Sequence, residues 1–121
     1  MDFAKFISYL MHSRTQSHVY HLQTPSFAAH KALNDYYDGI IDLVDGLVES
    51  YQGRYGILTG YSNFALMEYK SCEAIREYFK ALEKTIESSR ASLPQDSYIQ
   101  NQIDEVITLI VSTYYKLTYL K

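Results

Sequence analysis

Hydrophobic residues recur at helical spacing along most of the chain. Phe3, Phe6, Ile7, Leu10 and Met11 fall three and four residues apart, which predicts a helix over about residues 2–22. The stripe then changes character, because continued from Ile7 and Met11 it meets Arg14, His18 and His21. An apolar seam that turns polar needs partners for the groups it carries, so the last two turns of this helix are where a site would sit. Gln23-Thr24-Pro25-Ser26 breaks the pattern: proline disfavours helix at Thr24, and Ser26 can cap the next helix. That second helix is expected over about 27–51, with His30, Leu33, Tyr37, Ile40, Ile41, Val44, Leu47 and Val48 inward. Gly39 and Gly46 lie on nearly one face of it, where they either admit another backbone or are simply tolerated.

From Gln52 to Ser62, with Gly53, Gly56 and Gly60, the chain reads as a loop that is long for a link between neighbouring helices. Ser62 is placed to cap a third helix over about 63–89, with Cys72, Ile75, Phe79, Leu82 and Ile86 on its seam and alternating charges outside. Pro94 and Asp96 open a fourth helix over about 96–120, with Ile99, Ile103, Val106, Ile110, Tyr114 and Leu117 inward. The expected fold is all-α: residues 1–121 as a single antiparallel four-helix bundle.

Composition narrows the function. A net charge of −3 argues against a general nucleic-acid binder, which would carry a basic patch. Cys72 is the one cysteine, so no intrachain disulfide forms and a reducing, cytoplasmic setting is expected. No apolar run reaches the roughly 20 residues that span a bilayer, and Met1 to Lys5 lacks the apolar core of a signal peptide. Thirteen tyrosines without a tryptophan suit half-buried helix faces and subunit interfaces. There is no Ser-His-Asp arrangement, phosphate-binding loop or paired CxxC, so hydrolase and nucleotide readings have no support.

The chemistry lies in the first half. All four histidines are there, and Ala32 to Gly53 carries Asp35, Asp38, Asp42, Asp45 and Glu49 with no Lys or Arg. Opposite charges four residues apart would normally stabilise such a helix, so this face calls for a cation or a partner surface. Asp35, Asp38 and Asp42 read as a solvated acidic face or an ion-entry path. His18, His21, His30, Asp45 and Glu49 are a plausible ligand set for iron, with zinc able to occupy the same site. His18 and His21 share a helix face, as do Asp45 and Glu49. His30 and Glu49, however, lie about 28 Å apart by helical rise. They serve either two separate sites or one site built from two chains. A two-fold dimer through helices one and two would bring the histidine end of one chain to the Asp45/Glu49 end of the other. Arg14, on the same seam, fits a metal site poorly and suits an ion pair with a partner's Asp45 or Glu49. His12 lies off the stripe and is expected to face solvent; Cys72 is expected in the core.

The spacing resembles that of the Dps proteins, the miniferritins also called DNA-binding proteins from starved cells. Their histidine, second histidine, Asp and Glu are separated as His18, His30, Asp45 and Glu49 are here: twelve, fifteen and four, although His21 sits in the better local context, so either His18 or His21 is the first ligand with His30. The strings His21-Leu-Gln-Thr-Pro-Ser-Phe-Ala-Ala-His30 and Glu49-Ser-Tyr-Gln-Gly-Arg-Tyr-Gly56 are similar to those of small, often phage-encoded Dps relatives. The resemblance covers about a third of the chain. It implies a ferritin-like fold, Fe(II) binding with possible ferroxidase activity, and a homo-oligomer that is a dimer or a closed shell. Two departures stand out. Dps proteins carry an Asp four residues after the second histidine, and here that position is Asn34. They also bind DNA through a basic tail that has no counterpart in this sequence, so DNA binding is not expected. The other expectation is a non-catalytic ferritin-like structural or interaction module.

Overall fold

Asp2 accepts a hydrogen bond from the backbone N–H of Lys5 at 2.8 Å. Helix α1 runs from this cap over Phe3–Gln23 in the computed structural model, which describes residues 1–121. Ser26 caps α2, Phe27–Tyr55, by accepting from Ala29 N at 3.2 Å. Helix α3 covers Cys72–Ser89, a short 3-10 turn covers Arg90–Ser92, and α4 covers Ser97–Tyr119. There are no strands, and no helix is long and apolar enough to cross a membrane.

Two boundaries differ from the periodicity. Helix α2 continues four residues beyond the expected end at Tyr51, because Gln52 to Tyr55 keep helical bonding until Gly56 stops it with φ 98°. The expected third helix over 63–89 loses its first nine residues and starts at Cys72. Its cap is Ser71, which accepts from Ala74 N at 3.0 Å, and not Ser62.

The reason is a strap formed by residues 56–71. It runs along α1, and a row of α1 side chains holds its backbone. Ser8 Oγ accepts from Ser62 N at 2.8 Å. His12 Nε2–H donates to Ala65 O at 2.9 Å. Gln16 takes both groups of Met67, donating to its carbonyl at 2.8 Å and accepting from its N–H at 2.7 Å. Gln23 accepts from Tyr69 N at 2.7 Å. Between Ser8 and Gln23 the helix rises about 22 Å, and the seven steps from Ser62 to Tyr69 cover that length only at about 3.3 Å per residue. The strap is therefore extended over this stretch. Phe64 stacks on Tyr9 at 4.4 Å and wedges the strap between α1 and α3. Gln16 is fully buried. Gln16→Ala is expected to lose about 2 kcal/mol, two hydrogen bonds at roughly 1 kcal/mol each. It should also speed amide exchange over residues 62–69, which hydrogen-exchange mass spectrometry reads directly.

The helices pair by identifiable contacts. Helices α1 and α2 lie side by side in opposite directions: Phe3 stacks on Tyr51 at 4.5 Å at one end and His21 on His30 at 3.7 Å at the other. Helix α2 also packs on α4, with Asp35 to Lys116 at 3.7 Å near one end and Arg54 to Asp96 at 3.6 Å near the other. Gly39 belongs to this contact, since a Cβ there would meet Leu109 Cδ2 at 3.3 Å, whereas at Gly46 it would fall in ordinary contact with Gln102. Arg90 ties α3 to α4 through Asp104 at 2.7 Å and Gln100 O at 3.1 Å.

The core holds the expected Phe6, Ile7, Leu10, Leu33, Ile40, Leu47, Ile75, Phe79, Ile86, Ile99, Ile103 and Ile110. Three placements differ. Tyr36, and not Tyr37, is the fully buried tyrosine of α2. Its hydroxyl donates to Ser13 Oγ at 2.7 Å, because the Ser13 proton is given to Leu10 O. Met11 and Ile41, expected inward, are 44% and 40% exposed on the outer side of the α1/α2 pair.

Candidate metal centre

The α1 seam turns polar as its composition predicts, with His21 on it as expected but otherwise through different residues. Ser13, Gln16, Ser17, Tyr20 and His21 are buried, while Arg14 is exposed and His18 half-buried. Packing against α2 and the strap rotates the inward face away from Arg14. His12, expected in solvent, is half-buried at the junction of α1, the strap and α3. Its Nε2–H serves Ala65 O, so its Nδ1 accepts from the Tyr78 hydroxyl at 3.0 Å. Cys72 is half-buried beside Tyr69.

The hairpin turn brings His18, His21 and His30 together. His21 Nδ1–H donates to His30 O at 2.7 Å, and His30 Nδ1–H donates to His21 O at 2.8 Å. A carbonyl can only accept, so both tautomers are assigned by their partners, and Nε2 carries the lone pair in each neutral ring. Metal-binding histidines are commonly oriented in this way, through a carbonyl on the other nitrogen.

Ring orientation decides which pairs can act together. The His21 and His30 rings stack at 3.7 Å with 18° between their planes. An imidazole binds metal along a lone pair in its own plane, at about 2.0–2.1 Å for zinc. Two nearly parallel planes this far apart do not meet at that distance, so these two rings cannot close on one ion. The His21 ring instead backs His30, whose tautomer is fixed by the His21 backbone carbonyl. The His18 ring stacks on Tyr37 at 4.5 Å and forms no hydrogen bond through either nitrogen.

Position 34 is engaged. Asn34 Oδ1 accepts from the Tyr37 hydroxyl at 2.7 Å, and its Nδ2 donates to Asp38 at 3.1 Å. Tyr37 thus covers His18, touches His21 edge-on at 5.3 Å and holds Asn34. The periodicity assigned Tyr37 to the core; its place three residues after Asn34, on the face toward His18, is the signal for its actual role.

Asp45 and Glu49 are exposed on the far half of α2 and take part in no ion pair or side-chain hydrogen bond. No group of three or more His, Cys, Asp or Glu within the chain is placed to hold a metal ion. The chain therefore presents imidazoles at the hairpin end and a carboxylate pair further along α2. The two groups are not brought together within the chain. The neutral, doubly bonded Asn34 does not fit the role of a further anionic ligand.

Residues 21–117 match the model of a family of unknown function, DUF5856. No curated protein and no solved structure matches the chain.

Proposed function

The chain belongs to the DUF5856 family, whose function is unknown, and from that premise we propose that it is a ferritin-like bundle of the Dps kind that binds iron between two copies of itself. His18 and His30 of one copy and Asp45 and Glu49 of the other would hold the ion. The observation that carries this reading is the anchoring of His30: its Nδ1–H is committed to His21 O, so Nε2 is the nitrogen left for a ligand. The architecture supports it. Two oppositely directed helix pairs joined by one long second connection is the arrangement of ferritin-like bundles. Iron is substrate here. Carboxylate ligands favour the more oxidised ion, with oxygen or peroxide as electron acceptor, and the amide at Asn34 leaves the site one anion short of the Dps pattern.

The test is an anaerobic Fe(II) titration of the metal-free protein followed by peroxide. Saturable binding of about one or two Fe per chain with rapid oxidation is expected. No binding above buffer overturns the iron reading. A second reading, a ferritin-like assembly module without metal chemistry, is favoured by Asn34, whose amide is held at both ends by Tyr37 and Asp38. That reading expects an intact oligomer that ignores Fe(II).

A further inference from the structure

Two tyrosine hydroxyls that face α1 end on different partners. Tyr36 is fully buried and donates to Ser13 Oγ at 2.7 Å. Ser13 has given its own proton to Leu10 O, and a hydroxyl is not a base at neutral pH. Tyr78 donates instead to His12 Nδ1 at 3.0 Å. His12 keeps its Nε2–H on Ala65 O at 2.9 Å, so the tautomer is set and a basic lone pair on Nδ1 is aimed at the phenol. We propose that Tyr78 and His12 form a redox-active pair, in which Tyr78 gives one electron to a one-electron oxidant at the protein surface and passes its phenolic proton to His12.

The step balances within the pair. One electron leaves the Tyr78 ring and reduces the oxidant. The phenolic O–H bond breaks as the Nδ1–H bond forms, which leaves a neutral phenoxyl radical beside an imidazolium. That imidazolium donates from Nδ1 to the phenoxyl oxygen and from Nε2 to Ala65 O, so each polar group is partnered after the transfer as before it. Returning an electron sends the proton back to Tyr78. Burial explains why a base is needed: it keeps the Tyr78 hydroxyl neutral well above pH 10, so the phenol does not enter the reaction already ionised. Loss of the electron alone would strand a cationic phenol, and the proton transfer moves that charge onto an imidazole held between two oxygen acceptors. The surroundings also suit a radical that lasts. Tyr20 and Phe79 stand edge-on to the Tyr78 ring at 6.1 and 5.6 Å. On another side Tyr78, His12, Tyr9 and Phe64 line a cavity of about 190 Å³ between α1, the strap and α3. Phenoxyl radicals are lost mainly by coupling to one another, which these walls hinder. Tyr78 is half-buried, so the electron has only a short way to the surface. The pair lies within one chain and uses no metal, so it stands apart from the iron reading.

The test uses the full chain with chelator present and tris(bipyridine)ruthenium(III), generated by light, as the oxidant. Electron paramagnetic resonance on samples frozen after the light is turned off is expected to show a neutral tyrosyl radical. Tyr78→Phe should remove it, while Tyr36→Phe, which takes away the phenol that faces no base, should keep it. His12→Gln retains an acceptor for Tyr78 and a donor for Ala65 but has no basic lone pair, so it should lower the yield of that radical by about tenfold or more. Helical circular dichroism confirms that the variants are folded, and a loss of yield in folded His12→Gln is not a loss of structure. The proposal is overturned by a wild type with no radical left after the light, by a radical that survives in Tyr78→Phe, or by a yield that His12→Gln leaves unchanged. A lasting radical in a protein that ignores Fe(II) upholds the pair and sinks the iron reading. Iron uptake without a lasting radical does the reverse.

Discussion

His18→Ala is expected to abolish saturable iron binding at the cost only of its stack on Tyr37, about 0.5–1.5 kcal/mol, whereas His21→Ala is expected to destabilise the fold by more. The two residues are three apart on one helix face, yet their surroundings differ. His18 is half-buried, lies on the Tyr37 ring and has no hydrogen bond to lose. His21 is buried, donates to His30 O and stacks face to face on His30. Removing it forfeits a hydrogen bond of about 1 kcal/mol and an aromatic contact of about 0.5–1.5 kcal/mol, roughly 2 kcal/mol in sum. Denaturant unfolding and Fe(II) stoichiometry, measured on the same samples, separate the two effects. Glu49→Gln should behave as His18→Ala does, since it removes a ligand charge from an exposed side chain. The opposite pattern, with iron lost in His21→Ala and retained in His18→Ala, would falsify the assignment of His18 as ligand and His21 as support. If neither variant changes iron uptake, both histidines are structural and the iron is held elsewhere.

The helical pattern was legible because most of the seams are apolar and regular. Ile75, Phe79, Leu82 and Ile86 of α3, and Ile99, Ile103, Val106 and Ile110 of α4, are buried as their spacing predicts. The strap was not legible. Asn63 to Lys70 contains no Pro or Gly, so nothing local argues against helix there. What decides its conformation is α1, whose Ser8, His12, Gln16 and Gln23 are hydrogen-bond partners for another segment's backbone. A polar side chain presented to a distant backbone leaves no periodic trace. Tyr36 and Tyr37 show a similar limit. A 3.6-residue period allows either neighbour inward, and the choice falls to Tyr36 because its hydroxyl finds Ser13. At the candidate centre, the hairpin turn made the gathering of His18, His21 and His30 readable. Which of them can share an ion depends on the angle between ring planes, a property of packing that spacing does not encode.

Raising the pH past 10 is expected to unfold the protein steeply. Burial pushes the Tyr36 hydroxyl well above its ordinary 10.0. Burial does the same to Tyr78, with Tyr36 and Tyr20 adding to the effect. In the unfolded chain both phenols ionise near pH 10, while in the folded protein both remain neutral far above it. The unfolded state therefore binds fewer protons at alkaline pH. The stability in question is fully present below pH 10 and is lost as pH rises from there toward the folded values. Each phenol contributes a slope of about 1.4 kcal/mol per pH unit, or about 2.7 kcal/mol per unit for the pair. Between pH 10 and about 12 that amounts to roughly 5 kcal/mol, comparable with the whole stability of many domains. The urea midpoint followed across this range measures the slope, and phenolate absorbance shows whether ionisation coincides with unfolding. Tyr36→Phe separates the causes. It should lower stability at neutral pH by about 1 kcal/mol through the lost Ser13 bond, and it should reduce the alkaline slope by about 1.4 kcal/mol per pH unit because one shifted phenol is gone. Exposed tyrosines such as Tyr98, Tyr115 and Tyr119 ionise near pH 10 in the folded protein as well, so the readout is the fraction that does not: ionisation of all thirteen tyrosines in a protein that is still folded would mean that Tyr36 and Tyr78 are open to water, and the packing around them would have to be redrawn.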